Sequence, residues 1–90
     1  MPDDYELSDD TLDAIESRCN AATSGPWKSF LEGRDHQSGS NFIRTGAEDI
    51  ELTGATPADQ DFIACARQDV PRLLGEVRRL RKLLSRSAQV

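Results

Sequence analysis

The chain has 90 residues, 16 of them acidic and 11 basic, for a net charge of −5. That length makes one domain, and a domain this small buries only about 60–65% of its unfolded surface, so it gains from association. With 37% hydrophobic and 30% charged residues, it lacks the run of ~18 apolar residues that a membrane span needs, and it fits a thin-cored domain with an exposed helix better than an enzyme with a deep pocket.

Residues 1–7 read as a short flexible arm, and its acidic start, Met1-Pro2-Asp3-Asp4, is unlike a signal peptide. A soluble, cytoplasmic setting is therefore expected. The first helix is predicted over 8–22. Ser8 is its N-cap, and Asp9 and Asp10 sit in the first turn, where carboxylates suit the helix dipole. Leu7 and Leu12 take the places of a hydrophobic staple. Leu12, Ile15 and Cys19 form an apolar stripe that Thr23-Ser24-Gly25-Pro26 ends.

Residues 27–53 read as a three-stranded antiparallel meander: Trp27 to Glu32, Asn41 to Thr45 and Glu48 to Thr53. Glycine-bearing turns join the strands. One face would pack on helices and the other would meet solvent or a partner.

Thr56-Pro57-Ala58-Asp59 is a strong helix start, with Thr as N-cap, Pro at N1 and an acid in capping-box position. The long helix is predicted over 57–86. Its apolar residues Ile63, Ala66, Val70, Leu73, Val77, Leu80 and Leu84 recur at alternating steps of three and four, a coiled-coil-like heptad seam. At 1.5 Å per residue such a helix is roughly 45 Å long. A 90-residue globule has a radius of gyration of only about 12 Å. Part of the seam must then find a partner outside its own domain, and a homo-oligomer, dimer or higher, is the expected arrangement. Because the heptad phase carries through Pro71, a continuous helix with a kink there is expected. Gly75 lies outside the seam, where a close backbone approach would account for it. The tail from Ser85 to Val90 is expected to fray.

Charge is divided along the chain. Residues 1–61 hold fourteen acidic and four basic side chains, and residues 62–90 hold two and seven. The basic set, Arg72, Arg78, Arg79, Arg81, Lys82 and Arg86, suits the helix C-terminal dipole and could attract an acidic head within an oligomer. Nucleic-acid binding through this helix is a weaker reading, because an acidic protein repels phosphate at long range. Cys19 and Cys65 lie on apolar helix faces and read as buried, reduced thiols. One His and two scattered Cys offer no metal-binding spacing, and no cofactor motif is present.

The loop from Gly33 to Asn41 holds the densest set of reactive side chains. Asp35 and His36 are adjacent, so on an extended strand they point apart, and nothing marks Ser38 or Ser40 as a nucleophile. A plain hairpin connection is the simplest reading. If a small ligand binds, it should be anionic and meet Arg34, His36 and Asn41, with Trp27 and Arg44 nearby, in a pocket completed by a second subunit. Trp27 otherwise anchors a small core. Arg67, beside the seam, is an interface arginine or an anion ligand.

Two segments carry a resemblance. Ala21-Ala22-Thr23-Ser24-Gly25-Pro26-Trp27 resembles the "AATPGPW" phrase of small phage and actinobacterial accessory proteins, some of them grouped as Ea22-like. Asp61 to Leu74 resembles their "FIAxARxDVPxLL" phrase, which a basic leucine-rich helix follows. Ser24 stands where that phrase often has Pro. The resemblance implies a phage or prophage setting and assigns no activity or site residues. The expectation is an α+β, non-enzymatic accessory protein that binds and neutralises or redirects a host component, such as a defence factor. Its alternatives are a protein that sequesters a small anionic ligand such as a signalling nucleotide, and a nucleic-acid-binding accessory protein.

Overall fold

A computed structural model describes residues 7–88. The expected arm at 1–7 lies outside that range except for Leu7. The element order is α1 (Asp9–Ala21), β1 (Lys28–Phe30), β2 (Phe42–Arg44) and α2 (Pro57–Ala88).

Both helix starts form as their cap residues dictate. The Ser8 hydroxyl accepts from Thr11 N–H (3.0 Å). Thr56 and Asp59 form a reciprocal capping box: Thr56 Oγ1 accepts from Asp59 N–H, and Asp59 Oδ2 accepts from Thr56 N–H, both at 3.0 Å. From there α2 runs through Pro71 as one 32-residue helix. It ends at Ala88, beyond the expected residue 86, so the described part of the tail is helical. The molecule measures 60 × 28 × 22 Å with a radius of gyration of 17.4 Å. It is a small head on a rod.

The expected three-stranded meander is a two-stranded sheet. β1 and β2 pair antiparallel, with Ser29 opposite Ile43 and Phe30 opposite Phe42. The third segment keeps one bridge, in which Ile43 and Ile50 exchange both backbone bonds at 2.8 Å. Its composition explains this: Glu48, Asp49 and Glu51 surround Ile50, and acidic side chains are poor strand formers. The turn before it is closed by Thr45, whose Oγ1 donates to Glu48 O and accepts from Ala47 N–H. β1 is also shorter than Trp27 to Glu32. The Trp27 backbone bonds to Gln68 instead of to a strand.

Two glutamines of α2 hold the sheet to the helix. Gln60 is 3% exposed, and its Nε2 donates to Ser29 Oγ (2.8 Å), Phe42 O (3.1 Å) and Phe30 O (3.2 Å). Ile43 directs its backbone groups to Ile50, so Ser29 and Ile43 form a non-hydrogen-bonded pair, and the ladder bonds fall at Phe30 and Phe42. Gln60 thus donates to both carbonyls of the Phe30–Phe42 pair at the loop end of the ladder. Eight residues on, Gln68 Oε1 accepts from Trp27 N–H (2.6 Å), while its Nε2 donates to Trp27 O (3.2 Å) and Ala64 O (3.0 Å). Its side-chain amide copies a strand's donor–acceptor pair.

The buried apolar core is small: Ile43 (0% exposed), Leu12 (1%), Ala64 and Leu31. Gly46 makes a close approach in which a Cβ would meet Ser24 Oγ and lie 2.7 Å from Ser24 O. At Gly75 the expected close approach is absent, for a Cβ there would meet nothing within 4 Å.

Gln60→Met removes the donor from three acceptors and should cost about 1–3 kcal/mol in urea unfolding. Gly75→Ala should raise stability by about 0.5–1 kcal/mol, because α2 gains helix propensity in open space.

Candidate functional site

The loop between the strands is built as a self-contained cap. Leu31 O accepts from Asp35 N–H (2.8 Å) and Arg34 N–H (3.2 Å), and Leu31 N–H donates to Asp35 Oδ2 (2.8 Å). Glu32 N–H donates to Asn41 Oδ1 (2.8 Å). Gly33 and Gly39 take positive φ, 87° and 112°, which their lack of a Cβ permits. His36 stacks on Phe42, 5.7 Å between centroids, and Phe42 stacks on Phe30 at 5.1 Å. The His36 Nδ1 meets Ser38 O (3.0 Å), so Nδ1 carries the proton, and Nε2 is buried with no partner among the described residues.

Arg34 is the loop's tie to α2. Its guanidinium forks onto Asp61 (Nη1 to Oδ2 2.9 Å, Nη2 to Oδ1 3.2 Å) and its Nε donates to Asp35 (2.8 Å). Those hydrogen bonds, Asp61's first, hold the guanidinium firmly protonated. In turn Arg34 pulls the carboxyls of Asp61 and Asp35 below their ordinary 3.8, helped at Asp35 by the Leu31 N–H.

The expected anion-binding set is therefore dispersed into structural tasks. Arg34 faces two carboxylates, Asn41 closes the loop, and Arg44 lies over the Phe30 ring, 4.6 Å from its centroid. Trp27 stands apart, on the side of the hairpin that meets α2 and α1.

α1 packs along α2 with charge matched to charge. Arg78 Nη2 donates to Asp13 (3.0 Å) and Glu16 (2.9 Å), and Asp13 is the leading cause that keeps this guanidinium more firmly protonated than usual. Arg81 reaches Asp9 (3.4 Å) and the Leu7 carbonyl, while Arg79 pairs with Glu76 one turn back. The attraction between acidic head and basic helix operates within one chain.

The seam residues divide among several surroundings. Ala66 and Val70 face a groove beside α1, and Val70, Leu73 and Val77 also border a narrow crevice with Leu7, Leu12 and Ile15. Ile63 sits beside Leu52 and Gly54. Even so, Phe62 (74% exposed), Leu73 (65%), Leu80 and Leu84 (69%) remain open to solvent. At 100° per residue these four fall within a sector of about 40°. Gln60, Ala64 and Gln68 lie on the opposite side of the helix. One face of α2 is bonded to its own hairpin and the other is a bare apolar stripe.

The groove beside α1 has a volume of about 420 Å³ and is walled by Arg18 and Cys19 of α1, Arg67 of α2 and the Trp27 indole. Arg18 and Cys19 went unrecognised as neighbours of Trp27 in the sequence, because the helix packing that brings them together is not written in any local motif. Both cysteines are free. Cys19 is half-buried, but Cys65 is exposed rather than buried, because it lies off the faces that meet α1 and the hairpin.

Among the described residues no cluster of His, Cys, Asp and Glu could hold a metal ion, and no helix is long and apolar enough to cross a membrane. Comparison with family models, curated proteins and solved structures gives no match to the chain.

The Arg34–Asp61 tie sets an acid dependence. A carboxyl whose folded pKa is depressed contributes stability above its unfolded value, and that contribution is lost as pH falls through the folded pKa. Unfolding midpoints of the wild type should therefore drop as pH falls below about 4. Asp61→Asn should lower the midpoint at neutral pH and flatten the acid limb, as followed by circular dichroism.

Proposed function

We propose that this chain is a non-enzymatic binding protein that assembles with a second copy of itself through the bare face of α2. The observation that carries the reading is the stripe of Phe62, Leu73, Leu80 and Leu84, large apolar side chains left exposed on the side of α2 opposite Gln60, Ala64 and Gln68. Large apolar side chains aligned on one exposed helix face of a thin-cored chain mark an interaction surface.

Charge favours an antiparallel pairing. The first part of α2 carries Asp59, Asp61, Asp69 and Glu76 against Arg67 and Arg72, and the last part carries Arg78, Arg79, Arg81, Lys82 and Arg86 with no acid among them. Two helices running in opposite directions bring the acidic part of each toward the basic part of the other. The resemblance to small phage accessory proteins supports a host-cell component as the target of the assembled protein, which would be neutralised or redirected by being bound.

Leu73→Asp and Leu80→Asp place a charge on the stripe. Each side chain is exposed in the single chain, so the fold should survive while self-affinity falls by at least about tenfold. Light scattering at tens of micromolar should show a dimer or higher assembly for wild type and a monomer for the variants. A wild-type monomer under those conditions overturns the reading.

A further inference from the structure

The groove between α1, α2 and Trp27 has features that self-assembly does not use. Its aromatic wall and one of its cations are locked together by a single backbone carbonyl. Thr23 O accepts from the Trp27 Nε1–H (3.0 Å) and from the Arg67 Nε–H (2.9 Å). The Trp27 backbone is fixed at the same time by both ends of the Gln68 amide. Indole and guanidinium are thus set side by side before anything binds, which removes the entropy cost of ordering them later.

Charge in the groove is also uncompensated. Arg34, Arg78, Arg79 and Arg81 each pair with a carboxylate. Arg18 and Arg67 pair with none among the described residues, although the chain has more acids than bases. Both arginines line the groove, together with the apolar Ile15 and Val70. A volume of about 420 Å³ lies within the range of about 300–1,000 Å³ that small-molecule sites occupy.

We propose that this groove binds a small anion carrying a flat heteroaromatic ring, the chemical class of a nucleoside monophosphate. The ring lies against the Trp27 indole, and the phosphate takes the unpaired Nη groups of Arg67 and the guanidinium of Arg18. Arginine supplies planar, charge-assisted forks for phosphate oxygens, and base–indole stacking adds affinity without demanding one particular base. The site is separate from the loop at 33–41, whose arginine is committed to Asp61.

Trp27 is the only tryptophan, so its fluorescence reports the groove directly. The probes are the four ribonucleoside 5′-monophosphates and their 3′,5′-cyclic forms, with adenosine and inorganic phosphate as half-ligands. At least one nucleotide should quench Trp27 saturably, and adenosine or phosphate alone should bind at least about tenfold more weakly. Arg18→Gln should weaken the nucleotide about tenfold. Arg18 is exposed and has no hydrogen-bond partner among the described residues, so that variant should keep its unfolding midpoint even if Arg67→Gln disturbs the corner at Thr23. Bound nucleotide should also slow alkylation of Cys19 and leave Cys65, on the exposed surface, unchanged in the same sample. Light scattering on the same samples reads assembly independently, so loss of one property is distinguishable from loss of the other. The proposal is overturned if no nucleotide quenches beyond its half-ligands, or if Arg18→Gln binds within about twofold of wild type.

Discussion

Everything in the head depends on α2 supplying backbone partners that the sheet lacks. A two-stranded hairpin is marginal in water by itself, and here each strand is only three residues long. Gln60 and Gln68, two helical turns apart, present side-chain amides to the backbone of β1, β2 and Trp27. Buried polar groups of this kind are costly when unpaired and orienting when satisfied. They determine which face of α2 lies against the hairpin, and Ile43 and Ala64 then fill the small space between. That choice of face also leaves Phe62, Leu73, Leu80 and Leu84 outward.

The sequence discloses the parts of this fold that are local. Ser8 and the Thr56–Asp59 box cap helices because each needs only a few neighbouring residues. The long helix is legible from its period, and its passage through Pro71 from the unbroken phase. The third strand fails because two apolar residues, Ile50 and Leu52, imitate alternation while the acids around them oppose a ladder. Gln60 and Gln68 escape notice because a glutamine on a helix looks like solvated surface. Their partners lie 18 to 41 residues away, and no spacing rule reaches that far. The same is true of the site. From the sequence Arg34 reads as an anion ligand for any small molecule bound there, but Asp61, 27 residues on, bonds to its guanidinium. Trp27 lines the groove beside α1, and its neighbours there, Arg18 and Arg67, come from two different helices.

Charge segregation along the chain has a similar resolution. The basic run at the end of α2 invites a nucleic-acid reading, yet Arg78 and Arg81 face Asp9, Asp13 and Glu16 of α1. Exposed pairs of this sort contribute little stability singly. Their effect is geometric: they lay α1 along the middle of α2 and set its register, which brings Ile15 and Cys19 opposite Ala66 and Val70. A phosphate backbone approaching this helix would have to displace those carboxylates or settle for the remaining cations.

The hairpin contacts and the exposed apolar stripe thereby fall on different sides of one helix. Substitution on the hairpin side acts on Gln60, Ala64 and Gln68 and threatens the fold. Substitution on the bare side acts on exposed residues, of which Leu73 also borders the crevice with Leu12 and Ile15. The groove lies on the border, where Ala66 and Val70 separate α1 from the stripe, and it is closed behind by the rigid corner of Thr23, Trp27 and Arg67. A thin-cored chain has few ways to hold an aromatic ring and an arginine in fixed relation. Sharing one carbonyl between them achieves it without further burial, because the Thr23 oxygen uses both lone pairs on groups that would otherwise be mobile. The rigidity of that corner is inherited from Gln68, so the interaction that holds the hairpin to α2 also orders the wall of the groove.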